Sequence, residues 1–256
     1  MFIQKSDKYY ELISKIRNYA NRVAKSQRLI YIITGYPGVG KGTHVQWLSK
    51  DLNLFPISTG DIIRRKIKKL KEQSSSFELQ IIDKMNKGEY ITDDLVIKMV
   101  EDELKNIPGS LGILFDGFPR TLNQAKALTE LLRKYNLEVT LVFFLKASKE
   151  TVKRRICGRL IHEPSGRTYH KITRPPKVTG LDDVTHEPLS QRSDDKPEIV
   201  DQRIKVFNET VTDVLSYYDN LNILITLNAD EEYNEVRADI EDLFYLANRY
   251  KSHDGI

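Results

Sequence analysis

Residues 35–43 read Gly-Tyr-Pro-Gly-Val-Gly-Lys-Gly-Thr, a string whose residue types suit the binding of phosphate. Gly35, Gly38, Gly40 and Gly42 free the backbone to take positive φ and to lie close against a ligand. Lys41 adds a point charge with the reach to touch the β and γ groups of a nucleotide. The loop stands between the apolar run Leu29–Thr34 and a helical pattern carrying Val45, Leu48 and Leu52. A buried strand that turns through glycines into a helix points several N–H groups, and the positive end of the helix dipole, at one spot, where anionic oxygens belong. Such loops commonly place Ser or Thr directly after the lysine; here Gly42 intervenes before Thr43, a spacing that marks a subclass.

Several elements must position that loop. Apolar runs at Leu29–Thr34, Phe55–Ile57, Gly112–Phe115, Leu141–Leu145 and Ile223–Leu227 alternate with helical stretches. This alternation predicts a five-stranded parallel sheet with helices on both faces, an α/β fold of the P-loop NTPase kind. Ligands of such sheets bind beyond the carboxyl ends of the strands, where the phosphate loop and the segment Asp116-Gly-Phe-Pro-Arg120 both fall. Two stretches interrupt the alternation. Residues 58–91 are charged and largely helical; 159–197 are rich in Pro, Gly, His, Thr and Asp, and their Tyr169, Ile172 and Val178 predict a small folded lid. The divisions expected are an N-terminal extension (1–28), a core (29–57, 92–157 and 198–256), an insert (58–91) and a lid (158–197). Gly158 and Pro197 stand near the lid's two ends as candidate hinges.

At 256 residues the chain can hold one α/β domain with insertions. Its one cysteine, Cys157, closes no intrachain bridge, so the composition suits a reducing compartment. No apolar run approaches the roughly 20 residues needed to span a bilayer, and a soluble protein is expected. The net charge of +4 is mild. The basic run Arg64–Lys71 carries Ile67 and Leu70 and reads as the exposed face of a helix; no stacking aromatics interleave with it, so no nucleic-acid partner is expected. Residues 9–23 set Tyr9, Leu12, Ile13, Ile16, Ala20 and Val23 at helical spacing. A helix docked on the domain is the reading preferred to a mitochondrial presequence, given Asp7, Glu11 and few serines. Cytoplasmic location is expected, with the mitochondrion as the alternative.

Six segments now join into one pattern: GYPGVGKGT (35–43), ISTGDIIR (57–64), GEYITDDLV (88–96), DGFPRTLNQ (116–124), RICGRLIHEPSGRTYH (155–170) and QRSDD (191–195). In that order they resemble the long-lid adenylate kinases over residues 29–247. The resemblance implies reversible, Mg²⁺-dependent phosphoryl transfer from ATP to AMP giving two ADP, by a monomer acting on small-molecule nucleotides. A sister kinase with GTP as donor, or another nucleoside monophosphate as acceptor, is the nearest alternative; a non-catalytic nucleotide binder is more distant. Phosphoryl transfer to a phosphate already mostly ionised needs no protein base, only positioning and charge neutralisation. Accordingly the motifs hold many arginines and no His or Cys dyad.

By the same resemblance Gly38, Val39, Gly40, Lys41, Gly42 and Thr43 cradle the donor phosphates, and Asp116 holds Mg²⁺ through its waters. Residues 58–91 become the acceptor-binding insert. Arg64 and Arg120 fork onto the AMP phosphate. Thr59, Gln124 and the backbone of Glu89, Tyr90 and Ile91 line the base, and Gly117, Phe118 and Pro119 complete the floor. Arg155, Arg159, Arg192 and Arg203 surround the transferred group, the last two also reaching the acceptor; Thr168 and Tyr169 cover the donor. Many relatives pin the lid with zinc on four cysteines; the matching positions here are His162, Ser165, Asp182 and Thr185, so a zinc-free lid joined by hydrogen bonds is expected.

Overall fold

A computed structural model describes residues 3–26, 28–70, 83–84, 87 and 89–253 of the chain. Its strands are β1 (Ile30–Gly35), β2 (Leu54–Ser58), β3 (Gly112–Asp116), β4 (Leu141–Lys146), the short β5 (Arg159–Ile161) and β6 (Thr168–His170), and β7 (Leu224–Asn228). Five of them form one sheet in the order β2-β3-β1-β4-β7, every pairing parallel. The five apolar runs are these strands, each displaced by two residues or fewer. β1 lies at the centre, between β3 and β4, so the loop that follows it opens where the strand order reverses.

A parallel sheet covered by helices must be apolar on both faces, and β1 is buried at every position. Alternation then sorts its side chains. Ile30, Ile32, Ile113, Phe115, Val142 and Phe144 join one core cluster; Tyr31, Ile33, Leu114, Leu141, Phe143 and Leu145 join the other. The helices are α1 (Ile3–Lys25), α2 (Lys41–Asp51), α3 (Thr59–Leu70), α4 (Asp93–Lys105), α5 (Leu122–Arg133), α6 (Lys149–Cys157), α7 (Pro197–Asn220) and α8 (Tyr233–His253). Residues 71–82, 85, 86 and 88 of the 58–91 insert lie outside the described residues, as do the side chains of the basic run from 66 onward.

The N-terminal helix is built into the second cluster. Ile16, Tyr19 and Ala20 are buried at helical spacing, and Tyr19 and Tyr31 share a 2.8 Å hydroxyl–hydroxyl bond beneath Phe244 of α8. Around that apolar strip Asn18 Nδ2 donates to Asn222 O at 2.7 Å, Arg22 donates to Val139 O at 2.9 Å, and Lys15 pairs with Asp219 at 3.0 Å. Burial pushes the Tyr19 hydroxyl up to about 12, and that of Tyr31 also upward.

Tyr19→Phe will leave the buried Tyr31 hydroxyl without its partner and cost ~1–3 kcal/mol, read as a lower denaturant midpoint. Adding Tyr31→Phe recovers most of the loss, since two rings without hydroxyls fill the same space. A single variant as stable as the parent would contradict the contact.

Candidate active site

Beyond β1 the chain makes a sharp loop and enters α2 with Gly40 as its N-cap, in the left-handed region at φ 111°. No side chain caps this end, and a Cβ on Gly40 or Gly42 would meet nothing within 4 Å. The first N–H groups of α2 therefore face open space, as an anion requires. Gly38 is needed for packing too: a Cβ there would stand 2.0 Å from Ile156 of α6. Lys41 Nζ donates to the carbonyls of Gly35 and Tyr36, both at 2.8 Å. Burial lowers its pKa to about 7; Asp116, at the end of β3, opposes that, while Arg120, Arg203 and Arg159 reinforce it. Asp116 is shifted the other way, above the usual carboxylate range by burial and below it by Lys41, with burial prevailing.

Beside the loop opens a pocket lined by Pro37, Thr59, Gly60, Ile63, Arg64, Glu89, Tyr90, Ile91, Val96, Arg120, Gln124, Asp194 and Arg203. Thr59, Arg64, Glu89, Tyr90, Ile91, Arg120, Gln124 and Arg203, named from the sequence as acceptor residues, thus meet around one cavity. Its wall of Ile63, Ile91 and Val96 suits a flat base, and its three arginines suit a phosphate. Gln124 is already oriented: Nε2 donates to Asp93 Oδ1 at 2.7 Å, and Oε1 accepts from Arg120 N at 2.8 Å. Asp93 also accepts from Thr121 Oγ1 at 2.8 Å, so this carboxylate fixes the start of α5. Arg120 donates to Gly117 O at 2.8 Å and lies over the Tyr90 ring, 5.2 Å from its centroid.

Three carboxylates arrange the remaining guanidinium groups. Asp195, fully buried, accepts from Arg159 with both oxygens and from Arg203 at 3.2 Å. Asp194 accepts from Arg203 at 3.0 Å; Asp61 pairs with Arg64 and stands 3.8 Å from Arg192. Burial, with Arg64 and Arg159 as close positive neighbours, lowers Arg192 to about 9. Asp93, Asp194 and Asp195 had no role in the sequence reading, although the last two end the quoted segment QRSDD. Their signal was an acid pair beside Arg192 and before a helix-starting proline.

A family model described as adenylate kinase matches residues 33–223. Adenylate kinase 2 of Schistosoma mansoni is 36% identical over 91% of this chain and 95% of its own. An adenylate kinase of Neurospora crassa is 36% identical over 87% of this chain and 79% of its own; one of Methanocella arvoryzae is 37% identical over 82% and 96%. The chain belongs to the adenylate kinase family. Members of that family bind nucleotide substrates and generally use Mg²⁺ with ATP.

Residues 158–197, expected as a lid, are a folded unit. β5 and β6 pair antiparallel, and Ile161 exchanges both backbone bonds with Ser190, at 2.8 and 2.9 Å. At its centre Asp182, fully buried, accepts from Arg167 at 2.8 and 2.6 Å, from Tyr169 at 2.9 Å and from Thr185 through both N–H and hydroxyl. The Arg167 hydrogen bonds hold its carboxyl well below the usual carboxylate range. His162 bonds Ser165 at 2.7 Å and Glu187 at 2.6 Å, so the four matched positions are joined by hydrogen bonds. Of the three apolar residues that predict a folded lid, Tyr169 is buried, while Ile172 and Val178 are exposed.

Four site expectations change. Arg155 is directed away from the arginine cluster: it donates to Val39 O, Ala229 O and Glu231 O at 3.1, 2.6 and 3.1 Å, tying the phosphate loop to residues 229–231. Tyr169 is buried with its hydroxyl bonded to Asp182 and to Asp183 N, so its ring is spent inside the lid; Thr168 at the start of β6 stays partly open. Phe118 packs against Phe115 in the core, and Pro119 is buried beside it, leaving only backbone to face a ligand. Gly158 has an ordinary φ of −90°; what its position demands is room, since a Cβ would stand 2.1 Å from His170 Nε2.

The Lys41 shift fixes a sign. At about pH 8 a lysine near 7 is mostly neutral, and an arriving triphosphate restores its proton, so donor binding takes up ~0.9 proton. Calorimetry with ATP in buffers of different ionisation enthalpy measures this uptake, and Lys41→Met will abolish it. Equal uptake by the variant would remove Lys41 from the donor site.

Proposed function

We propose that this enzyme transfers the γ-phosphoryl group of ATP to AMP, giving two ADP, reversibly. One observation carries the reading most directly: the phosphate loop with Lys41 opens beside the pocket that gathers Arg64, Arg120 and Arg203, and Arg120 and Arg203 stand close enough to help lower the lysine's pKa. Two phosphate subsites therefore share a single field, which is what joining a donor to an acceptor phosphate requires.

The chemistry asks little of the protein beyond alignment and charge. An oxygen of the acceptor phosphate forms a bond to the γ-phosphorus as the bond from that phosphorus to the β,γ-bridging oxygen breaks, and the electron pair leaves on the new ADP. Lys41 and the α2 N-terminus hold the donor's β and γ oxygens. Arg64 and Arg120 hold the acceptor phosphate. Arg159, Arg192 and Arg203 meet the equatorial oxygens, exchanging their carboxylate partners for phosphate as the lid comes down. Closure also excludes water, the competing acceptor.

Among the described residues no group of three or more His, Cys, Asp or Glu side chains is disposed to hold a metal. Asp116 offers one hard oxygen donor, half-buried beside the phosphate loop, which suits an ion that keeps most of its own waters. Bound with ATP, Mg²⁺ supplies positive charge across the donor oxygens. Burial raises the Asp116 carboxyl and Lys41 opposes that rise.

Incubation with MgATP and each of AMP, GMP, UMP and CMP, then with MgGTP and AMP, will give most diphosphate from ATP with AMP. No ADP from that pair would sink the reading. Arg120→Ala will lower turnover by at least ~10²-fold through loss of charge stabilisation, with the fold intact by circular dichroism.

A further inference from the structure

Tyr36 is the second residue of the phosphate loop, and its two ends do different work. Its carbonyl is one of the two that hold Lys41 Nζ, at 2.8 Å. Its side chain leaves the loop for α7: the ring lies 4.5 Å from that of Phe207, and the hydroxyl donates to Asn208 Oδ1 at 2.6 Å. Phe207 is buried and stands four residues after Arg203, so the two occupy one face of the helix. On its other side the loop is fastened to α6, through Gly38 against Ile156 and through Arg155 on Val39 O. Tyr36 thus supplies a side-chain tie from the loop to the helix that carries Arg203.

We propose that Tyr36 and Asn208 form a latch between the phosphate loop and α7, which sets the separation of the Lys41 ammonium and the Arg203 guanidinium across the point of transfer. Both are positioning residues; neither touches the reacting atoms. The inference rests on the phosphotransfer reading above and adds to it the means by which two elements, separated in sequence by residues 44–196, keep register. An aromatic ring suits the task because it brings a large contact with only two torsions to fix, and the hydroxyl then selects one orientation of that contact. Loosening it leaves every charged group present and blurs their alignment, a loss that falls on the transfer step.

The test is steady-state kinetics with MgATP and AMP on Tyr36→Phe, Asn208→Ala, the double variant and Asn208→Asp, each with a thermal melt. Tyr36→Phe and Asn208→Ala should each lower kcat about 3- to 10-fold, with both KM values within about twofold. The double variant should be no worse than either single one, since both remove the same bond. Asn208→Asp, which keeps an acceptor oxygen, should return most of kcat. Melting temperatures should stay within about 2 °C. Unchanged kcat in Tyr36→Phe, losses that multiply in the double variant, or a loss explained by a lower melting temperature would each overturn the latch. Absence of ADP formation by the unaltered enzyme would instead overturn the phosphotransfer reading, so the two failures are told apart.

Discussion

Positive charge crowded around a half-buried lysine is the constraint to which the rest of this molecule answers. Lys41 sits where desolvation and Arg120, Arg159 and Arg203 all oppose its proton. Cations do not gather so closely without anions among them. Before any phosphate arrives, protein oxygens take its place: the carbonyls of Gly35, Tyr36 and Gly117, and the carboxylates of Asp61, Asp194 and Asp195. Arg64, Arg159 and Arg203 are each held by one of these carboxylates, while Arg192, with a buried Nε that has no hydrogen-bond partner, is the least satisfied of the group. Pairing of this kind offsets the cost of bringing charge out of water.

The fold around this cluster is what gathers it. A sheet buried on both faces contributes apolar cover that owes nothing to the active site, and its central strand delivers the phosphate loop at the place where neighbouring connections diverge. Glycines in that loop do two jobs that look alike in sequence. Gly40 needs a left-handed backbone beside open space; Gly38 needs, besides its own positive φ, the absence of a side chain because α6 is already there. The lid solves its own problem of small size differently, gathering donors on one carboxylate, Asp182, in place of an extended apolar core.

Much of this was legible from the chain alone, and the reasons are physical. The strands were, because a parallel sheet demands uninterrupted apolar runs; so was the phosphate loop, because few backbones turn so tightly without those glycines. Side-chain direction was not. The resemblance set Arg155 around the transferred group but could not say that three carbonyls would draw it toward residues 229–231. Tyr169 and Phe118 carry no mark that distinguishes a ring facing a ligand from one facing the core. Asp93, Asp194 and Asp195 escaped notice because a positioning carboxylate is recognised by what it holds, and that is known only once distant segments meet. Gly158 was read for its freedom, and packing against His170 adds a demand for smallness that the sequence does not display.

The docking of α1 against α8 carries a consequence for how the chain is made. α1 is synthesised before the sheet and α8 after it, and the shared aromatic cluster of Tyr19, Tyr31, Phe143 and Phe244 cannot close until both are present. During synthesis the apolar strip of Ile16, Tyr19 and Ala20 therefore waits without its cover while all seven strands are translated. One side of the core closes only when two helices distant in sequence meet.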